Sequence, residues 1–504
     1  MIDGSSAALG LKEVKMRNMV CVTVRRRCDV GALLFLLLAQ AGILAGTLCA
    51  GNVAEKPAAA AEEHLLALQL DGSYDPERGF LEATARLTFA GPADERRLWL
   101  ADGMQLSSVR VADEPSSVFS HEGGEFLLSC PQGSDLELCY SGYLDQSPDP
   151  FAVTGSALRT GRQAAPGGEG PVDDCRFLSY VRDFYPHPRL DFAALQMSLR
   201  LPEGWNCLGS GVRSGGCPAA VGNGFRFENP SAKGMALVCG RFQPIGVISG
   251  PLTVRLYGWP GFKLESHFNA AEIERILSFY EQRFGPLGIR ELSVLFRRGQ
   301  WLGGVSYSGL VVMSVDAGQP LRASAAQRGS RLDSALAMSD AGTDLLAHEF
   351  AHQWWGGIVS WKTTADNWIT EGLATYSSLI YMKELQGEKE YRRIRSDLRR
   401  FVKRFAGKAA PAEGGKLRLL FKNPEVYQSQ VYAKPALMLA ELSDTLGEAE
   451  LLRRLRSILE THRYSSLGTE EFLGLLCGGD PGLRLRLNEW ILSPDLPGEM
   501  KKKK

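Results

Sequence analysis

Two histidines and two glutamates carry the chemistry of this chain. His348-Glu349-Phe350-Ala351-His352 reads H-E-x-x-H, and eighteen residues separate His352 from Glu371, which lies within Trp368-Ile369-Thr370-Glu371-Gly372. On a helix, His348 and His352 stand at i and i+4, so both imidazoles leave one face. Two neutral imidazoles and one carboxylate form the three-ligand arrangement of a catalytic zinc site, with the fourth position left to water. One Zn2+ per chain is therefore expected, held by His348, His352 and Glu371. Glu349, adjacent to His348, is placed to take a proton from that water as general base. A bare H-E-x-x-H also occurs in solvated helices of no catalytic purpose. Here the acid on a second helical segment makes a second condition, and both are met.

The elements that must position these groups follow from periodicity and punctuation. Thr343 or Asp344 can cap the helix that carries the histidines, and the glutamate helix is predicted over residues 366–385, ending at Gly387. Before them, strands are expected at 252–259, 292–296 and 310–313, with a helix over 269–284 stopped by Gly285-Pro286. The Ser-, Ala-, Gly- and Arg-rich stretch 314–342 reads as a loop over the site. Helices are expected at 388–406, 434–446, 448–461, 469–477 and 482–492, Pro435 being tolerable in a first turn. From 64 to 248 the texture is different. Alternating stretches such as 80–89 and 195–201 recur between Gly, Pro, Asp and Ser clusters, the mark of an antiparallel, sandwich-like β domain. The stretch 160–174, rich in Gly and Pro, reads as a loop.

The chain has 504 residues, enough for two or three domains with full cores. Lys+Arg and Asp+Glu are both 57, so nothing points to nucleic acid as a partner. Arg25-Arg26-Arg27 precedes an apolar run over 30–50 in which only Gln40 is strongly polar, the pattern of an export signal. Met16 or Met19 are alternative starts. The run is also long enough to span a bilayer, so a cleaved signal and a retained membrane anchor both stand for residues 1–51. Small residues at Thr47, Cys49, Ala50 and Gly51 permit cleavage, whereas Leu48 before Cys49 argues against a lipoprotein signal. The basic flank puts the bulk of the chain outside the cytoplasm. A flexible linker follows at 52–63, and the lysines near the end, in 496–504, read as a solvated tail. Ten cysteines are present, three of them (Cys21, Cys28, Cys49) in the targeting region. Export permits disulfides, and Cys130–Cys139 and Cys207–Cys217 are close enough in sequence to close loops; burial as small hydrophobes is the equal alternative.

At this point the motifs resemble a family. His348 to Gly356 reads H-E-F-A-H-Q-W-W-G, and Asp366 to Ala374 reads D-N-W-I-T-E-G-L-A. Together they are similar to the gluzincins of the aminopeptidase N and leukotriene hydrolase type, over about residues 64–495. Phe184-Tyr185-Pro186-His187-Pro188 adds a weaker likeness in the β half. The resemblance implies an α+β multidomain protein. An N-terminal antiparallel β-sandwich-like domain (64–248) would precede a mainly helical, thermolysin-like zinc peptidase domain (249–495). The large helical C-terminal domain of many members has no room. It implies the roles given above for His348, His352, Glu371 and Glu349, and an outer position for Asp366, orienting a ligand, with a helix N-cap as the alternative. The family's transition-state tyrosine sits in Y-x-K-G; here Tyr432-Ala433-Lys434-Pro435 gives Y-x-K-P, with Tyr427 a weaker neighbour.

One departure bears on specificity. Aminopeptidases of this family carry G-A-M-E-N ahead of the zinc helix, and its glutamate grips the substrate's free α-amine. The best match here is Gly303-Gly304-Val305-Ser306-Tyr307-Ser308-Gly309, which puts Ser306 where that glutamate stands. A neutral hydroxyl makes no charge-assisted bond to an ammonium. Gly303, Gly304, Ser306 and Tyr307 nevertheless remain the candidate substrate-binding strand, able to pair with a peptide backbone. Ser378 is a second departure, at a position where relatives often have a carboxylate. Three functions compete. The first is a zinc peptidase acting on N-termini through another anchor. The second is an endopeptidase or amidase of the same fold, and the third a catalytically silent peptide-binding module in the envelope. Retention of Glu349 beside three intact ligands argues against the third. The expected partner is a peptide, with membrane association through residues 30–50.

Overall fold

Strict alternation in Phe80–Ala90 buries Leu81, Ala83, Ala85, Leu87 and Phe89 on one face, which makes this strand the spine of the β half. In the computed structural model the described residues are 64–498, except 91–94, 116–118, 123, 131–134, 145–174, 189–190, 216–222, 267, 300–302, 317–340 and 414–422. The targeting segment, the linker, the 160–174 loop, most of the 314–342 stretch, Cys217 and the terminal lysines lie outside them. Among the described residues no helix is long and apolar enough to cross a membrane.

Phe80–Ala90 pairs with His64–Asp75 on one side and Leu136–Tyr143 on the other, within an eight-stranded sheet. The sheet is antiparallel apart from one pair. His64–Asp75 runs parallel to Phe192–Leu201, because the intervening chain leaves to build other strands before it returns. Two three-stranded sheets cover the large one. Leu68, Leu81 and Leu138 of the large sheet share a single core with Leu98 and Leu128 of one small sheet and with Leu178, Cys207 and Leu237 of the other. This is the sandwich expected from the alternation. Cys130 and Cys139 are not joined to each other, and Cys139 Sγ sits 3.5 Å from Thr84 Oγ1.

The second core begins with a five-stranded sheet, in the order Gln243–Ile248, Thr253–Gly258, Glu291–Gly299, Leu310–Asp316 and Gly303–Tyr307. The three middle strands are parallel. Parallel neighbours need a crossover, and the helix Ala270–Phe284 supplies the first one. Asn269 caps it, its side chain accepting from Ala271 N–H, and Gly285 ends it at φ 88°. The last strand, Gly303–Tyr307, turns back through Ser308-Gly309 and pairs antiparallel only with Leu310–Asp316, so it forms the sheet's edge. Helices Ala341–Ala351, Trp368–Gln386, Glu388–Phe405, Lys434–Leu446, Glu448–Thr461, Thr469–Cys477 and Pro481–Leu492 complete this half, within a residue or two of their predicted bounds in all but the first. That first helix is in place by Ala341, so Thr343 and Asp344 occupy its opening turn and are not its cap. The stretch before Pro435 also differs from expectation: Gln428–Ala433 is a π-helix.

A third, smaller cluster joins the two halves. Leu208, Ala236, Val238 and Phe242 from the β half pack on Leu295, Tyr307, Leu310 and Val312 of the five-stranded sheet. The hairpin at the edge strand is pinned there too. Asn229 Nδ2 donates to Ser308 Oγ at 3.1 Å, and Gly211 N–H donates to Ser308 O at 3.1 Å.

Candidate metal centre

The helix Ala341–Ala351 and the residue after it deliver His348 and His352, and Trp368–Gln386 delivers Glu371 in its first turn. The two helices pack directly, and tryptophans fix the exit of the first. Trp354 Nε1 donates to Gly285 O at 2.9 Å and Trp355 Nε1 to Ser377 Oγ at 3.2 Å, both rings fully buried. The result is a triangle of donor atoms. His348 Nε2 and His352 Nε2 are 3.1 Å apart, and Glu371 Oε2 is 3.5 Å from the first and 3.3 Å from the second. A zinc ion bound tetrahedrally at about 2.0–2.1 Å requires ligand–ligand edges of about 3.3–3.4 Å. The triangle fits. Glu371 Oε2 is buried and has no hydrogen-bond partner of acceptable geometry, its near neighbours being those two ring nitrogens. A buried carboxylate oxygen left in this way is the donor a cation would use.

The outer faces of the imidazoles are also held. His352 Nδ1 meets Trp355 O at 3.0 Å, which sets the tautomer so that Nε2 offers its lone pair. His348 Nδ1 lies 3.5 Å from Thr375 Oγ1, whose own proton goes to Glu371 O at 2.7 Å. Electrostatics are strong before any metal binds. Burial alone would lower the pKa of His352, but Glu371 and then Glu349 override it and hold it at about 9. Burial alone would raise Glu371, but His352 and His348 bring it down to about 2. The site is thus organised as an ion cluster in which a divalent cation can replace the imidazole proton.

Glu349 is buried, 4% exposed, and its side chain lies flat against the backbone of Gly304. A Cβ at Gly304 would fall 2.5–2.6 Å from Glu349 Cγ, Cδ and Oε1. Glycine is needed here for close approach of strand to carboxylate, and that approach puts Gly304 of the edge strand beside Glu349. Tyr432 completes the cleft. Its ring stacks on His348, with centroids 5.8 Å apart and planes at 17°. Tyr427 meets it edge-on and is itself buried, its hydroxyl accepting from Asn367 Nδ2 at 2.7 Å. Burial, then the charge of Glu371, push the Tyr427 phenol above its ordinary range, so it serves as neutral packing.

The π-turn explains how Y-x-K-P is accommodated. Lys434 N–H donates to Ser429 O, five residues back, before Pro435, which has no N–H to give. Gly372 then makes room: its Cβ would sit 2.4 Å from Pro435 Cβ. Lys434 turns away from the cleft, fully buried, and its Nζ donates to Ser493 O at 2.6 Å. Burial lowers its pKa to about 8.

Two expectations change. Asp366 orients neither ligand imidazole. Its carboxylate accepts from Thr363 N–H (2.9 Å) and Oγ1 (2.6 Å) and from Thr469 N–H (2.7 Å) and Oγ1 (2.6 Å), bracing the approach to the glutamate helix against the start of Thr469–Cys477. Nor is it the N-cap of the alternative reading: Asn367 precedes the glutamate helix, and Asp366 is the third residue of the capping box that Thr363 opens. The outer partners are instead Trp355 and Thr375, which sequence reasoning missed. Thr375 carries only a positional signal, four residues after Glu371. Gln353 was missed as well. It is 2% exposed and fastens the edge strand to the histidine helix. Nε2 donates to Ser306 Oγ at 2.6 Å and to Tyr307 O at 3.0 Å, while Oε1 accepts from Gly309 N–H at 2.9 Å. Of the four expected substrate-binding residues, Gly304 and Ser306 lie against the histidine helix, whereas the Tyr307 side chain is buried in the cluster that joins the two halves. The Ser306 hydroxyl, however, is engaged by protein. Ser378 Oγ donates to Thr375 O at 3.0 Å.

Known proteins resemble this chain in sequence and fold. Residues 331–480 match the family described as Peptidase family M1 domain. Aminopeptidase 2, mitochondrial, of Saccharomyces cerevisiae is 24% identical over 258 residues, 49% of this chain and 25% of that protein. The matched segments span a fifth to a quarter of the curated relatives' own length. Among solved structures, an M1 zinc metallopeptidase from Deinococcus radiodurans superposes with a TM-score of 0.66 at 19% identity, over 87% of this chain and 96% of that one. Another structure of that enzyme is described as bound to a Tyr-Ser-Ala substrate. Yeast LTA4 hydrolase gives a TM-score of 0.64 at 16% identity, over 87% of this chain and 69% of its own. At these identities the structural likeness speaks for the fold.

Proposed function

For a chain that belongs to the gluzincin aminopeptidase family, we propose hydrolysis of peptide bonds with one zinc ion held by His348, His352 and Glu371. The observation that carries this reading is the donor triangle with edges of 3.1, 3.3 and 3.5 Å beside a buried Glu349. Bound zinc supplies a Lewis acid that polarises a carbonyl and lowers the pKa of water. The protein's own residues do the rest. Glu349, pressed on Gly304, takes the water proton and delivers it to the leaving amine. Tyr432, fixed by His348 and Tyr427, presents a phenol that donates to the developing oxyanion. The strand Gly303–Tyr307 has a neighbour on one side only, and its other edge is where an extended peptide would add.

The preferred substrate is a peptide cleaved from its N-terminus, in keeping with the aminopeptidase relatives. A second reading, cleavage that ignores the free amine, is favoured by Ser306, whose neutral hydroxyl is bonded to Gln353. Turnover of one peptide with a free or an acetylated N-terminus, with a chelator control, separates them. Cleavage of the free form alone, one residue at a time, supports the first reading. Equal cleavage of both supports the second, and zinc-independent turnover or none at all overturns the peptidase assignment. An extracytoplasmic location is part of the proposal, supported by the arginines and apolar run of residues 25–50. N-terminal sequencing of the mature protein in membrane and soluble fractions tests it.

A further inference from the structure

We propose that Cys207 and Cys239 are joined by a disulfide in the mature protein, locking strand Asn206–Gly209 to its neighbour Ala236–Gly240 where the β half meets the catalytic sheet. The two residues are directly opposed in an antiparallel pairing. Their sulfurs lie 3.4 Å apart, and both side chains are buried, 1% and 0% exposed. Directly opposed residues have Cβ atoms about 4.5–5.5 Å apart, and a disulfide needs about 3.5–4.5 Å with sulfurs at about 2.05 Å. Closure therefore takes rotation about side-chain torsions and a small approach of the strands, with no change of register.

Other pairings are disfavoured by the pleat. Cys239 is registered with Arg176, and Cys175 with Gly240, one residue further along. Successive side chains leave opposite faces, so Cys175 points away from Cys239. The cores agree: Cys207 and Cys239 lie in the sandwich core, and Cys175 in the cluster that joins the halves. Cys130 follows strand Glu125–Ser129 and Cys139 lies in Leu136–Tyr143, both strands of other sheets.

The bond would close a segment in which the two cysteines are 32 positions apart. The step is an ordinary thiol–disulfide exchange. Each thiol gives up its proton, the two sulfurs form one S–S bond, and the two electrons reduce an external disulfide to two thiols. That oxidant is a small-molecule or protein disulfide of the extracytoplasmic compartment proposed above. Because the pair is buried, exchange takes place before the strands close over it. The bond matters to the site through its neighbours: Leu208, after Cys207, and Val238, before Cys239, pack on Leu295, Tyr307 and Leu310, and Tyr307 ends the edge strand whose Gly304 lies against Glu349.

The test is peptide mapping of the full chain, produced by secretion, held with oxidised glutathione, then denatured in iodoacetamide without reductant. The expected result is one linked peptide pair containing Cys207 and Cys239, lost on reduction, with Cys130, Cys139, Cys175 and Cys477 alkylated. Alkylation of both Cys207 and Cys239 overturns the proposal, and so does a link from either to Cys217. A thermal melt gives a second readout. Reductant should lower the midpoint of the wild-type chain and leave that of Cys239→Ala unmoved. An equal effect of reductant on both proteins also overturns it. Neither readout uses peptidase activity, so failure here leaves the catalytic assignment intact.

Discussion

The histidine helix and the edge strand pack directly on each other, and they differ in what they tolerate. On the helix side each donor atom answers to a metal. Three edges of a tetrahedron restrict where the donor atoms of His348, His352 and Glu371 can be, and only metal-ligating residue types at those positions meet that condition. On the strand side the backbone is fixed but the side chain at 306 is not. Gln353 holds Ser306, Tyr307 and Gly309 to the histidine helix through its amide, so the strand keeps its place whatever Ser306 offers to a substrate. If the function proposed above holds, the contrast teaches that chemistry and choice of substrate rest on separate parts, free to change separately.

The sharpest way to break that separation is at the base. Glu349→Gln keeps the shape and removes the proton acceptor. Turnover should fall by about 10²- to 10⁴-fold while zinc content, read by metal analysis, stays at one per chain. Full activity would remove Glu349 from the mechanism. Tyr432→Phe tests the other catalytic group. It keeps the ring stacked on His348 and deletes the donor, so kcat should drop by about 10²- to 10³-fold with KM little changed. An equal loss through KM alone would mean that Tyr432 packs and does not stabilise the transition state.

Gly304→Ala probes the seam between the two parts. The added methyl would lie within 2.6 Å of the Glu349 carboxylate, so the base must move by a few tenths of an ångström to an ångström. A displacement of that size costs about 10²-fold in kcat. Zinc binding should survive, since the three atoms nearest the new methyl all belong to Glu349. A variant with normal kcat would show that the contact is slack.

The legible and illegible residues divide along the same line. H-E-x-x-H and the distant glutamate could be read from the chain because a metal imposes residue type and helical spacing together. The helices around them could be read because apolar periodicity and glycine stops such as Gly285 and Gly387 are local signals. The partners of the ligands could not. Trp355 acts through its carbonyl, which any residue possesses, and Thr375 acts through a hydroxyl that also fits an ordinary helix interior. Asp366 was misplaced for the opposite reason: the sequence shows an acid near a ligand, but only the fold brings Thr469, 103 positions away, onto its carboxylate. The π-turn before Pro435 arises from tertiary room made by Gly372, which leaves no periodic trace. The opposition of Cys207 to Cys239 is long-range pairing of the same kind, and the shorter loops suggested by sequence proximity drew attention away from it.

Ser306→Glu sharpens the comparison with the smallest expected effect. A carboxylate at 306 restores a charge where the aminopeptidase motif has one, and a charge-assisted bond to an ammonium is worth about 1.5–3 kcal/mol, or about ten- to a hundredfold in binding. Part of that is lost, because Gln353 Nε2 already donates to position 306 at 2.6 Å and competes with the substrate amine for the new acceptor. The ratio of kcat/KM for a free over an acetylated peptide should therefore rise by about tenfold, the lower end of that range. Zinc content and turnover of the acetylated peptide should stay near wild type, since the helices are untouched. If the ratio does not move, residue 306 does not meet the first residue of the substrate, and specificity has to be sought on the β half that borders the strand at Ser308 and Gly211. If the ratio rises while turnover of the acetylated peptide collapses, chemistry and substrate choice are coupled through Gln353, and the separation drawn between helix and strand fails.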